Sequence, residues 1–393
     1  VATLSFREAR QCVIGQIRPA MEVEEALLDD ACGRVLAESV EADRDYPTTA
    51  RSLRDGFAVR LEDAPGRLRI IGEVAAGAVF PGEVKRGEAV EIMTGAPVPR
   101  GADAVVMVEH VVRDGEFVTV PAAAPGQFVN PPGCDARAEE QLLAPGHRIG
   151  YAEIAVLAAV GRTAVRVYRR PRVAVLATGD EIVAISERPL AHQIRNSNAH
   201  SLAAQVRAAG GVAGIFPVAR DSEESTRALI ERGLESDLLL VSGGVSAGKY
   251  DVVERVLAGL DAEFFFDRVL IQPGRPLVFG RARGKFFFGL PGNPASTMVT
   301  FELFARAAIE LLGGQREASL PLTLERLTTA FRHKPGLTRF LPARLSEGGA
   351  GLTPVPWSGS GDIPAMVRAN ALLVAEAERE SWEAGDLMRV LIK

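Results

Sequence analysis

Four polar turns carry the residue types in this chain that could do chemistry, and Ser242-Gly243-Gly244-Val245-Ser246-Ala247-Gly248-Lys249 is the most suggestive. Backbone N–H groups in a glycine-rich turn that opens a helix favour an anion, through geometry and through the helix dipole. The spacing imitates a nucleotide-binding P-loop: four residues separate Gly243 from Gly248, and Lys249 follows. That motif then needs Ser or Thr, and this chain has Tyr250. A phenol cannot replace the small hydroxyl that holds magnesium there, so a P-loop NTPase is excluded. The anion cradle survives without the motif, and a plain tight turn is the alternative.

The other turns are Thr178-Gly179-Asp180-Glu181, Asp221 and Pro291-Gly292-Asn293. Asp251 ends the glycine loop, so Glu181, Asp221 and Asp251 are expected along one edge. Carboxylates facing a phosphate loop imply a cation between them, or hydroxyl and amino donors to be held. Helix capping is the plainer reading for Asp221 and Asp251. Gln272-Pro273-Gly274-Arg275-Pro276 is a rigid turn presenting an arginine, whose planar fork of donors suits oxyanions. An ordinary surface arginine is the alternative there.

The elements around these turns read as an α/β domain over 171–316. Arg172–Ala177, Val212–Val218 and Leu238–Val241 are apolar strands; helices are expected over Ala199–Ala209, with Asn196-Ser197-Asn198 as cap candidates, from Asp221-Ser222 to about Leu234, and from Asn293-Pro294 to about Leu312. Leu277–Gly280 and Lys285–Phe288 add strands. Strand and helix alternating at this spacing predict a doubly wound, mostly parallel sheet with helices on both faces. Ligands of such sheets bind beyond the carboxyl ends of the strands, where the polar turns fall.

Outside it, Ser5-Phe6-Arg7-Glu8 fits a capping box ahead of the stripe Phe6, Ala9, Val13, Ile17. Tyr151–Val160 is a second helix stopped by Gly161. Residues 1–42 plus 141–170 are expected to form a helical frame. A small β domain, 43–140, rich in Gly, Pro and Val, interrupts it. Short alternating runs (Leu341–Leu345, Ala371–Ala375, Leu387–Ile392) make 317–393 a small, barrel-like β domain. The 393 residues carry 45 basic and 50 acidic side chains, a net of −5, which argues against a dedicated nucleic-acid binder. Cys12, Cys32 and Cys134 form no CxxC pair, so neither zinc nor a disulfide framework is expected. With no leader pattern at Val1-Ala2-Thr3-Leu4-Ser5 and no membrane-length apolar run, a soluble, cytoplasmic protein is expected.

Together, Ala177-Thr178-Gly179-Asp180-Glu181, Ser242-Gly243-Gly244-Val245-Ser246 with Asp251, Pro273-Gly274-Arg275-Pro276 and Leu290-Pro291-Gly292-Asn293-Pro294 resemble the molybdopterin molybdenumtransferase family, the gephyrin E domain included. Asp55-Gly56-Phe57-Ala58-Val59 and Ile92-Met93-Thr94-Gly95-Ala96-Pro97-Val98-Pro99 agree, in the same order along nearly the whole chain. The resemblance implies four domains, the central one of molybdopterin-binding type, in a homodimer whose cleft is shared between subunits. It implies insertion of molybdate into adenylylated molybdopterin, with magnesium and release of AMP, in molybdenum cofactor biosynthesis. Contact with a molybdopterin adenylyltransferase and with acceptor molybdoenzymes follows from it.

By position, the resemblance assigns Thr178, Gly179, Asp180, Ser242, Gly243, Gly244, Ser246, Gly248, Pro291, Gly292 and Asn293 to the pterin nucleotide. Glu181, Asp221 and Asp251 are assigned to catalysis and magnesium. Asp55, Thr94 and Asp135 line the cleft from the insertion. Arg275, Arg344 and Ser360 hold molybdate, with Gln272 in the same pocket and Arg268 nearby. The chain departs from the family at Arg54 (usually Met), Cys134 (commonly Glu) and Gln272 (usually Lys); at Arg275 it has one cation where the family often has another, Lys. Gln272 removes a cation from the oxyanion pocket, while Arg275 keeps one. A paralogue that inserts tungstate, or a pterin-binding scaffold without turnover, is therefore the alternative; Asp55, Thr94, Glu181, Asp221 and Asp251 together favour the enzyme.

Overall fold

Residues 3–19, 22–244, 252–346, 348 and 351–393 are described by a computed structural model. They fall into two compact units: 1–37, 146–150 and 164–393 form one, and 38–145 with 151–163 form the other. Among the described residues no helix is long and apolar enough to cross a membrane.

The first unit is built on a seven-stranded sheet in the order Thr3–Leu4, Glu263–Val269, Pro276–Ala282, Lys285–Leu290, Leu238–Ser242, Arg172–Ala177, Val212–Ile215. Its last four strands are mutually parallel, and Pro276–Ala282 runs antiparallel to both of its neighbours. Both faces are covered, as the uninterrupted burial of Leu238–Ser242 requires. On one face Val173, Val175, Leu238 and Leu240 pack with Ala199, Leu202 and Val206 of the helix Ser197–Ala208. On the other, Ala174, Leu176, Leu239 and Val241 meet Ile230 and Val256 from the helices Glu223–Gly233 and Val252–Ala258. Strand alternation thus sorts one apolar run into two cores.

The expectation of a helical frame meets a different outcome. Ser5 does cap the helix Phe6–Gln16 in a complete capping box. However, Ala9, Val13 and Ile17 join the sheet's own core beside Phe266 and Phe304, and Thr3 pairs with Arg268. The remainder of 22–42 and 141–170 is largely extended: Val23–Leu27 pairs with Ala164–Tyr168, and Val40–Glu41 with Gln141–Leu143. Ala164-Val165-Arg166-Val167-Tyr168 alternates with period two, which suits a ribbon and not a helix. Tyr151–Ala159 is helical. The strand expected over Val212–Val218 stops at Ile215.

The C-terminal residues of this unit form a six-stranded sheet. Thr338–Leu345, Ala371–Ala375, Leu387–Ile392 and Leu322–Arg326 run antiparallel, with Leu352–Pro354 on the side of Thr338–Leu345. Its sixth strand is Ile271–Gln272, which pairs with Thr338 and Arg339. Gln272 is therefore fixed between the two sheets.

The second unit carries its own six-stranded sheet, ordered Ala104–Met107, Gly56–Val59, Glu88–Ile92, Gly66–Val74, Phe117–Val120, Val112–Asp114. Phe57, Val59, Ala104 and Val106 face one core, and Ala58, Val90, Ile92 and Val105 the other.

Candidate functional site

A cavity of about 700 Å³ opens at the carboxyl ends of Arg172–Ala177 and Leu238–Ser242. Thr178, Gly179, Glu181, Asp221, Ser242, Gly243, Gly244, Pro291, Gly292 and Asn293 all line it. Its floor is a close approach of three turns. Thr178 N–H donates to the Ser242 carbonyl (3.1 Å), and Gly243 N–H donates to the Leu290 carbonyl (3.1 Å). Gly243 and Gly244 have φ of 90° and 64°. A Cβ on Gly243 would lie 2.8 Å from the Thr178 carbonyl oxygen, and one on Gly244 would lie 2.8 Å from Thr178 Oγ1. Only glycine fits such a turn at this distance. The Gly243 N–H is thereby committed within the floor and is not free for a ligand. Ser246, Gly248 and Asp251 lie outside the described residues.

Two carboxylates sit on the cavity's rim. Glu181 folds back over Gly179, whose Cβ would lie 2.5 Å from Glu181 Oε2. Asp221 precedes the helix Glu223–Gly233, but the cap is Ser222, whose Oγ accepts from Ser225 N–H (3.3 Å). Capping therefore does not account for Asp221. Asp180 is exposed; its Oδ1 accepts from the Asp221 N–H (3.2 Å), and its carbonyl from Arg220 Nη1 (3.2 Å). Asp180 thus shapes the rim without being among the lining residues. Among the described residues no group of three or more His, Cys, Asp or Glu converges as a metal site.

Ile182 and Ile194 supply an apolar wall, held because Ile194 N–H donates to the Glu181 carbonyl (2.9 Å). Arg195 and Arg255 bring cations to the lining, and Arg195 Nε donates to the Glu187 carbonyl (2.9 Å). Neither arginine was legible as a site residue, since neither belongs to a glycine or proline turn.

A second cavity of about 370 Å³ is lined by Gln272, Pro273, Gly274, Arg275, Ser296, Leu337, Trp357 and Ser360. Pro276, Pro291 and Asn293 line both cavities. Ser360 is placed by its carbonyl, which accepts from Ala295 N–H (2.9 Å) at the start of the helix Pro294–Thr300. The turn carrying it is pinned by Asp362, which accepts from Ser358 N–H, Ser358 Oγ and Ala365 N–H. The Ser358 and Ala365 backbone N–H groups hold the Asp362 carboxyl below the usual range.

Arg268 and Arg344 are not brought to these cavities. Arg268 is exposed on Glu263–Val269, paired with Thr3 and Pro276. Arg344 is exposed at the far end of Thr338–Leu345, opposite Thr353. Seven residues of extended chain, roughly 23 Å, separate it from Leu337, the part of that stretch that lines the second cavity.

The remaining expected residues lie in the second unit. Asp55 immediately precedes Gly56–Val59, and its Oδ1 accepts from Thr94 N–H (2.6 Å) and Thr94 Oγ1 (2.7 Å). Those bonds, the backbone one first, hold the Asp55 carboxyl below its ordinary range. Asp135 N–H donates to the Tyr46 carbonyl (2.9 Å). Its carboxylate accepts from Cys134 Sγ at 3.4 Å, and Cys134 Sγ also meets Asn130 Oδ1 at 2.8 Å.

Three family models match the chain in order. They are the MoeA N-terminal region (domain I and II) over residues 4–161, a probable molybdopterin binding domain over 174–311, and the MoeA C-terminal region (domain IV) over 325–393. The second of these holds the sheet and the larger cavity, so fold and site define a molybdopterin-binding class of α/β domain inside a larger assembly of domains. The chain is 32% identical over 376 residues to a molybdopterin molybdenumtransferase of Staphylococcus epidermidis, covering 93% of this chain and 90% of that one. It is 31% identical over 400 residues to the enzyme of that description from Staphylococcus aureus, covering 99% and 95%. The crystal structure of a molybdopterin biosynthesis MoeA protein from Pyrococcus horikoshii OT3 superposes with a TM-score of 0.84 at 28% identity, over 100% of both chains. A second Pyrococcus structure of like description gives 0.74 at 32% identity, over 100% of this chain and 99% of that one. The chain belongs to the molybdopterin molybdenumtransferase (MoeA) family.

Proposed function

We propose that this protein inserts molybdate into adenylylated molybdopterin, releasing AMP, as a magnesium-dependent step of molybdenum cofactor biosynthesis. The observation that carries the reading is one cavity joining a left-handed glycine turn to two uncapped carboxylates, with Arg275 in the adjoining cavity. The donor chemistry fits a hard divalent ion: Glu181 and Asp221 offer oxygen ligands, and Asp251 is the expected third. When bound, magnesium supplies positive charge against the phosphates as the pyrophosphate bond opens.

The protein's own residues do the positioning. The backbone at Gly244 seats the phosphates, Ile182 and Ile194 shield one side from water, and Arg255 draws the anion in. Arg275 and Ser360 hold the oxyanion in the second cavity, where Gln272 contributes a neutral donor. Pro276, Pro291 and Asn293, shared by both cavities, keep the oxyanion next to the dithiolene, whose soft sulfurs replace oxo ligands on the metal as these take up the thiol protons and leave as water. Asp55, Thr94 and Asp135 serve the same reaction in a cytoplasmic homodimer, which takes its substrate from an adenylyltransferase and passes the cofactor to acceptor molybdoenzymes. The test is AMP release from adenylylated molybdopterin on addition of molybdate, with and without magnesium; release independent of molybdate contradicts the reading.

A further inference from the structure

Asn198 stands in the first turn of the helix Ser197–Ala208 and lines the larger cavity. Its Nδ2 donates to Ser242 Oγ (2.8 Å) and to the Gly292 carbonyl (2.8 Å). A carboxamide nitrogen carries two hydrogens, so both are used and the amide orientation is set by its partners. The oxygen left over, Oδ1, is buried and has no partner among the described residues. The Thr178 hydroxyl, on a residue only 6% exposed and lining the same cavity, is also buried without one. Buried polar atoms are rarely left unpaired, because each forfeits the hydrogen bonds it made in water. Two such atoms in one cavity mark places that a ligand's polar groups complete.

We propose that Asn198 is a positioning residue of this cavity: its nitrogen spans the gap between the Ser242 strand end and the Gly292 turn, and its oxygen accepts a hydrogen bond from an N–H or O–H donor of the bound pterin nucleotide. Thr178 Oγ1, which can donate, faces the Gly243–Gly244 turn, where the phosphates belong. Asn198 Oδ1 can only accept, so it faces a heterocycle N–H or a ribose hydroxyl and not a phosphate. This assignment rests on the reading of the cavity as a pterin-nucleotide site. The donor's source, pterin or nucleoside, is separated by using molybdopterin and AMP as individual probes.

The experiment compares the wild-type chain with Asn198→Ala by calorimetric binding of AMP and of molybdopterin, and by kcat and KM for adenylylated molybdopterin. Loss of one neutral hydrogen bond weakens binding of one probe, and raises KM, by about threefold to tenfold, leaving the other probe's affinity unchanged. A folded Asn198→Ala that binds both probes as tightly as the wild type, or loses affinity for both alike, overturns the proposal, even if its melting temperature falls. If Asn198→Ala does not fold, selective asparagine labelling of the wild type carries the test. The Asn198 carboxamide carbon signal then moves on saturation with one probe, and a signal unmoved by both overturns it. Wild-type protein that binds neither probe instead removes the cavity's assignment itself.

Discussion

Replacing Gly243 by alanine tests whether the cavity floor is as tightly built as its geometry requires. The residue has φ of 90°, a conformation that costs an L side chain roughly 1–2 kcal/mol. The added Cβ would lie 2.8 Å from the Thr178 carbonyl oxygen and 3.2 Å from Thr178 Oγ1. The nearer atom is backbone and cannot swing away. Relief requires stretching the Thr178 N–H to Ser242 carbonyl bond or the Gly243 N–H to Leu290 carbonyl bond, each worth about 1 kcal/mol. The expected loss is therefore about 2–3 kcal/mol. Gly292→Ala is the matched control: its Cβ would meet only Gly243 Cα, at 3.7 Å, an ordinary contact. Its effect should stay within about 0.5 kcal/mol. Urea unfolding followed by tryptophan fluorescence reads this directly, because both tryptophans, Trp357 and Trp382, lie in the same unit as the cavity. Gly243→Ala should also weaken AMP binding. If Gly243→Ala and Gly292→Ala unfold at the same urea concentration, the close-packed floor is refuted.

Further outcomes follow from the same geometry. Glu181→Gln and Asp221→Asn should each lower kcat by about 10²-fold or more with the fold kept, read by AMP release across a magnesium titration; wild-type rates would remove either residue from the site. Gln272→Lys adds a cation to the second cavity and should lower the KM for molybdate, while Arg275→Ala should raise it; competition between molybdate and tungstate in the same assay shows which oxyanion the cavity favours. Asp237 accepts from Arg169 and from Arg172 N–H, and these bonds outweigh the opposing effect of burial and hold its carboxyl below the ordinary range. A lowered carboxyl stabilises the fold above its unfolded value of about 4 and loses that contribution as pH falls through the folded value. Wild-type melting temperature should thus drop below about pH 4 more steeply than that of Asp237→Asn.

How much of this was legible depended on the range of the interactions involved. Ser5 with Glu8, Asn196, Ser222 and Asn293 announced helix starts through local chemistry, and the helices begin beside them. The parallel strands were readable from their apolar runs. Glu263–Val269 was passed over: its central Phe264-Phe265-Phe266 has no alternation, because aromatic partners crowd it on both sides. Thr3–Leu4 could not be found locally, since its partner strand lies some 265 residues away. The site divides in the same way. Turn motifs singled out Thr178, Glu181, Ser242 and Gly292, which line one cavity, whereas Asn198 read only as a cap candidate, its contacts being 44 and 94 residues distant. Arg344 was assigned only by position through the family resemblance, and it lies at the far end of its strand, outside the lining of both cavities.

The decisive measurement mixes the purified protein with adenylylated molybdopterin and magnesium, then adds molybdate and follows AMP. Molybdate-dependent release should approach one AMP per bound pterin nucleotide and disappear in Glu181→Gln. Tight pterin binding with no AMP above background would contradict it and leave the scaffold reading in its place.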